Sequence, residues 1–208
     1  MTAAPPASLR SLVRDAVAAG EPVIGVAGGD GTMRTAAAVL VHTDSALLCI
    51  PTGTLNTFVG INNGAAITSG ERNTFVGRNT GVNTTTGSTN TFVGSGAGFE
   101  NITGSQNSFF GYNAGLRVTS GARNSFFGVS AGSGNLIGTD NSFFGYDAGL
   151  LATGNGNSFI GSAAGRSNTA GEANTFVGYL AGNRNTTGSQ NTIVGVQAGQ
   201  WTDESHAN

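Results

Sequence analysis

Two short segments have the composition of loops that handle phosphate: Gly28-Gly29-Asp30-Gly31-Thr32 and Pro51-Thr52-Gly53-Thr54-Leu55-Asn56. A glycine-rich turn that opens a helix lets several backbone N–H groups converge, and the helix N-terminus favours an anion. One Gly-Gly-Asp-Gly alone carries little weight. Two such segments, each directly after an apolar run, are more specific.

The surrounding residues supply elements to hold them. Leu9, Leu12, Val13, Ala16 and Val17 follow helical spacing, with Ser8 as N-cap and Gly20 as stop. Pro22 to Val26 reads as a buried strand, 27–32 as a glycine-rich turn, Met33 to Val41 as a helix and Ala46 to Ile50 as a second strand. A strand–loop–helix–strand unit is normally parallel and right-handed.

The two motifs together resemble the catalytic domain of diacylglycerol and sphingosine kinases, a superfamily shared with NAD kinases. The resemblance implies that Gly28, Gly29, Gly31 and Thr32 line the nucleotide phosphates. It implies that Asp30 sits near the phosphoryl group or its magnesium, and that Gly53, Thr54 and Asn56 form a second nucleotide-facing loop. ATP and magnesium are the implied cofactors, in a reaction that rests on positioning and charge stabilisation. The family continues past this point with a helix and a lipid-binding β-sandwich, whereas this chain enters a repeat. Residues 1–55 are therefore expected to be a truncated, inactive nucleotide-binding fragment. The alternative is an ATP-dependent lipid kinase relative whose lipid-binding domain has been replaced.

From Asn56 onward one unit recurs, starting at Asn56, Asn73, Asn90, Asn107, Asn124, Asn141, Asn157, Asn174 and Asn191. The spacing is 17 residues throughout, except 16 between Asn141 and Asn157. Counting Asn as position 1, the unit runs Asn-Ser/Thr-Phe-Val/Phe/Ile-Gly, then a variable pair and usually Ala-Gly, then a polar stretch containing another Gly. Fixed periodicity of this kind determines architecture before any local motif does. The expected fold is mainly β: a parallel β-solenoid or β-roll of nine coils over 56–200, preceded by the small α/β fragment over 1–55 and followed by a polar tail, 201–208. Each coil is expected to hold two strands, for example Asn107–Gly111 and Leu116–Thr119, and successive coils rise by ~4.8 Å. Residues 1–55 are expected to cap the open edge of the first coil.

Neighbours on a strand point to opposite faces. Phe109 and Phe110 therefore cannot share one core, nor can Phe126/Phe127, Phe143/Phe144 or Phe75/Val76. Position 3 is expected inside, and position 4 is expected to form an apolar stripe up the outside. Such a stripe exceeds what monomers usually leave wet, which predicts a homo-oligomer, with a trimer the simplest closure. The Asn column is expected to hydrogen-bond as a ladder.

The units Asn174-Thr175-Phe176-Val177-Gly178-Tyr179-Leu180-Ala181-Gly182 and Asn90-Thr91-Phe92-Val93-Gly94 resemble repeats of bacterial and phage tail-fibre-type surface proteins. They are also similar to head repeats of trimeric autotransporter adhesins. The resemblance implies a left-handed parallel β-roll, an intertwined trimer and a role in attachment to a surface glycan or protein receptor.

Other signals narrow the field. Lysine is absent and the formal charge is −2, so the electrostatic footprint of a nucleic-acid binder is missing. No stretch approaches the ~20 apolar residues of a membrane span. The N-terminus lacks the pattern of a signal peptide, making the cytoplasm the default compartment and surface or virion display the alternative. Cys49 is the single cysteine, and His42 and His206 have no sequence partners for a metal. Asp140 and Asp147 are too sparse for a calcium-binding roll. Asn83, Asn101 and Asn185 head glycosylation-like triplets that an Asn/Thr-rich repeat generates by itself. Tyr112, Tyr146 and Tyr179 share position 6, where packing at a coil corner is expected in preference to an exposed binding strip.

Overall fold

The strand of each unit is set by its aromatic and β-branched residues, Ser/Thr-Phe-Val/Phe/Ile; from the third unit on it ends at the glycine that follows, while in the first two it runs one residue past that glycine. In the computed structural model this produces β3 (Thr57–Ile61), β4 (Thr74–Arg78), β5 (Thr91–Val93), β6 (Ser108–Phe110), β7 (Ser125–Phe127), β8 (Ser142–Phe144), β9 (Ser158–Ile160), β10 (Thr175–Val177) and β11 (Thr192–Val194). Neighbouring strands are parallel and pair like with like, Phe109 beside Phe126 and Phe126 beside Phe143. The result is a parallel β-solenoid with one strand per coil. The structure describes Ala18, the backbone of 23–28 and 46–51, and residues 55–199. The first two segments are β1 (Val23–Gly28) and β2 (Ala46–Pro51), a parallel pair as expected. β2 joins the solenoid sheet antiparallel to β3, with Leu48 opposite Val59. Ala18, which is helical, is the described part of the expected first helix. The expected helix over 33–41, His42, His206 and the tail 201–208 lie outside the described residues.

Position 3 fills the interior. Phe75, Phe92, Phe109, Phe126, Phe143, Phe159 and Phe176 are fully buried. With Phe58 they form one continuous stack, centroids 4.7–5.1 Å apart and planes within 15°. The ring separation matches the strand spacing, so each ring covers the next without disturbing the ladder. Burying a Phe contributes about 1.5–3 kcal/mol. The Ala-Gly pair makes room for it: Ala114 is buried, and a Cβ on Gly115 would stand 2.5 Å from Phe109 Cε2.

The expected second strand is not there. Residues 112–118 form successive turns, with Leu116 N–H donating to Asn113 O (3.2 Å) and Val118 N–H to Gly115 O (3.1 Å). Alternate amides cross to the next coil instead, as Gly115 N–H does to Ala131 O (2.9 Å). The physical reason is the left-handed backbone that leads into it: Asn113 and Gly115 have φ of 55° and 59°, which coils the chain so that the Leu116 and Val118 amides bond back to residues 113 and 115 rather than extending into a ladder. Gly128 turns the corner after β7 at φ 139°, a region closed to side-chain-bearing residues, and a Cβ there would fall on the Gly145 carbonyl.

The Asn column does more than the expected side-chain ladder. Asn124 Nδ2 donates to Gly138 O at 2.8 Å and so closes its own coil. Its Oδ1 accepts the backbone N–H of Asn141 at 3.0 Å, fixing the next coil. The same pair of bonds recurs at Asn56, Asn73, Asn90, Asn107, Asn141, Asn157 and Asn174. Leucine at 124 would fill the space but orphan two buried groups, each costing about 1–3 kcal/mol. Asn124→Leu is expected to lose ~2–6 kcal/mol in urea unfolding and to expose the Asn141 amide to hydrogen exchange. Asn124→Asp, which keeps the acceptor, should retain that amide's protection.

Candidate functional site

The parallel register of β1 and β2 makes Gly28 and Pro51 partners, so both strands end together. Gly28 is the last residue of β1 and Pro51 the last of β2. The glycine-rich segments after them therefore start from the same, carboxyl edge of the pair, where ligands of open α/β sheets bind. Gly29, Asp30, Gly31, Thr32, Gly53 and Thr54 lie outside the described residues. Asn56 is placed elsewhere than in an open loop. It is 1 % exposed, with Nδ2 donating to Gly70 O at 2.7 Å and Oδ1 accepting Asn73 N–H at 2.8 Å. It heads the Asn column.

Residues 1–67 match the diacylglycerol kinase catalytic domain. The match takes in both motifs and the two strands that launch them. Its last residues, 56–67, are also part of the first coil, including Phe58 and the core residue Ile67. No curated protein and no solved structure matches the chain.

The solenoid presents a second candidate, its outer sheet face. Position 4 lies outside, as expected: Val59, Phe144, Ile160 and Val194 are exposed, and Val76, Val93, Phe110, Phe127 and Val177 are half-buried. Phe110, Phe127 and Phe144 stack on each other at 4.7 and 4.9 Å with planes within 7°. Their faces are thus spent on each other, and the column offers ring edges and methyl groups to whatever approaches.

Position 6 differs from expectation. Tyr112, Tyr146 and Tyr179 are 57, 59 and 52 % exposed rather than packed at a corner. The glycine of position 5 turns the chain outward just before them, which the sequence spacing alone does not disclose. Among the glycosylation-like triplets, Asn101 and Asn185 are buried in the coil interior, while Asn83 is exposed.

Charge is sparse on this body. Among the described residues no three His, Cys, Asp or Glu side chains gather as a metal site, and no helix is long and apolar enough to cross a membrane. Arg123 and Asp140, one coil apart, form a bidentate pair, Nε to Oδ1 at 2.6 Å and Nη2 to Oδ2 at 2.8 Å. Hydrogen bonding from Arg123 holds the Asp140 carboxyl below its usual value. A depressed folded value means the pair stabilises above the unfolded carboxylate pKa near 3.9 and that this contribution disappears as pH falls through the lower folded value. Both side chains are half exposed, so solvent screens the pair. Arg123→Ala is expected to leave the neutral-pH unfolding midpoint unchanged. In the same variant a carbon-detected titration should show Asp140 moving up toward ~3.9.

Proposed function

We propose that residues 56–200 form a rigid structural and attachment module that assembles with copies of itself, as a trimer, through the position-4 column. Residues 1–55 are a retained, catalytically inactive kinase-like fragment that caps the first coil. The observation that carries the reading is the unbroken apolar column from Val59 to Val194, one residue per coil on the outer face of the parallel sheet. Eight steps of ~4.8 Å make it about 38 Å long, far beyond an ordinary scattered surface hydrophobe. Ring edges and branched methyls interdigitate well with a like surface, and three copies around an axis cover three columns at once. The cap is supported by β2, which lies on the otherwise free edge of β3.

Sedimentation velocity of the full chain should give a particle of three times 20.7 kDa. Phe127→Glu, placing a charge mid-column, should yield the single-chain mass at micromolar concentration. A wild-type protein that sediments as one chain at high concentration would sink the assembly.

A second reading, an ATP-dependent lipid kinase relative, is favoured by the family match over 1–67 and by the common edge from which both glycine-rich segments depart. On the proposed reading, phosphate is not transferred from magnesium–ATP to diacylglycerol in mixed micelles. Transfer that disappears in Asp30→Ala would establish the enzyme instead.

A further inference from the structure

The tyrosines of position 6 recur with a period of two coils: Tyr112, Tyr146 and Tyr179 alternate with Val129 and Ser162. In this solenoid an aromatic ring one coil from another stacks upon it, as Phe110 does on Phe127 at 4.7 Å. Two-coil spacing removes that partner. Among the described residues none of the three tyrosines stacks on another ring. Each is more than half exposed, and two coil steps set them about 9.6 Å apart.

We propose that this row is a binding strip for a linear, uncharged β-1,4-linked polysaccharide. Pyranose rings have apolar C–H faces that lie on aromatic rings, and hydroxyls around their edges. In an extended β-1,4 chain alternate sugars turn over, so every second sugar presents the same face, and that two-sugar repeat is close to the spacing of the tyrosines. A rigid solenoid holds the rings at that period in advance, which lowers the ordering cost of binding.

Charge supports a neutral ligand. From Ser95 to Val196, position 6 holds Ser, Tyr, Val, Tyr, Ser, Tyr and Val. The acid next in sequence to a tyrosine, Asp147, faces Arg166 at 3.4 Å with only 13 % of its side chain exposed. Single-stranded nucleic acid also stacks on aromatic rows, but requires a basic groove, whereas the chain's nine arginines are outnumbered by eleven acids and no arginine shares position 6 between Ser95 and Val196. The position-4 phenylalanines do not compete for sugar, because their faces are covered.

The strip rests on the attachment role proposed above but not on the trimer, and the two are tested by different readouts. The full chain is titrated with cellohexaose by calorimetry and mixed with microcrystalline cellulose, with maltohexaose, an α-1,4 chain of different shape, as the control. Binding to cellohexaose and cellulose but not to maltohexaose is expected. Tyr146→Ala, at the centre of the row, should weaken binding at least about tenfold. The double change Tyr146→Ser with Ser162→Tyr keeps the composition, breaks the period and should weaken it as much. Phe127→Glu should change the sedimenting mass while cellohexaose still binds.

Absence of binding by the wild type to both cellohexaose and cellulose would overturn the strip, as would equal binding by the variant lacking all three tyrosines. So would a change of sedimenting mass in Tyr146→Ala, which would assign the row to a protein interface.

Discussion

One hydrogen bond repeats up the molecule and organises everything else: the carboxamide oxygen of each column Asn accepts the backbone N–H of the Asn one coil above, at 2.8–3.0 Å. The same side chain donates to a glycine carbonyl 13 or 14 residues further along its own coil. Coil closure and coil stacking thus share one residue, and a change at one level is felt at the other. Asp has the acceptor without the donor, and Ser lacks the reach and the second group. Asn supplies both at the right length. Buried at 0–8 % exposure, these groups have little access to water, so the bonds are obligatory rather than optional.

Stacking under that constraint explains the unusual backbone. Position 7 is left-handed not only at Asn62, Asn79, Asn113 and Asp147 but also at Ala163, Leu180 and Gln197, with φ of 53–57°. For Asn and Asp the conformation costs little; for Ala or Leu it costs roughly 1–2 kcal/mol. The neighbouring coils impose it, because from Asn79 onward each of these amides is committed to a carbonyl of the preceding coil. The missing residue of the 141–156 coil shows where variation is tolerated. It falls between Ala152 and Gly154, in the exposed corner, and Asn141 Nδ2 still reaches Gly154 O at 2.9 Å. Asn135, stacked between Val118 and Ala152 in the interior, has neither carboxamide atom bonded within the protein.

This division also separates what could be read in the residues from what could not. The repeat length, the strand, the inward Phe and the outward position-4 column follow from period-2 alternation and register alone. The turns that replace the expected second strand do not, since Leu116-Arg117-Val118-Thr119 has acceptable strand composition. What excludes it is the pair of turn bonds that the Leu116 and Val118 amides make back to Asn113 and Gly115, after a left-handed backbone at both of those residues. At Ala163 or Leu180 not even that local hint exists. For the candidate sites, the motif glycines and the tyrosine spacing were visible in the chain. The common edge at Gly28 and Pro51, the burial of Asn56 and the exposure of the tyrosines are consequences of pairing and stacking, which a single unit does not encode.

Asn56 is where the two halves of the chain make competing demands. The kinase resemblance assigns it to a nucleotide-facing loop, while the solenoid uses its Nδ2 to close the first coil and its Oδ1 to seat the second. The backbone enters it from Leu55 at φ 63°, the same left-handed entry that Arg72, Thr89 and Gln106 make into later coils. Its burial and the two carboxamide bonds to Gly70 and Asn73 follow the repeat. For the carboxamide to contact a nucleotide it would have to leave a buried site and orphan the Asn73 amide and the Gly70 carbonyl, a cost of about 1–3 kcal/mol each. Nucleotide contact at Asn56 and an intact first coil therefore oppose each other, and the coil, backed by eight more, holds the stronger claim. That competition is in keeping with the proposal that residues 1–55 serve the edge of the first coil.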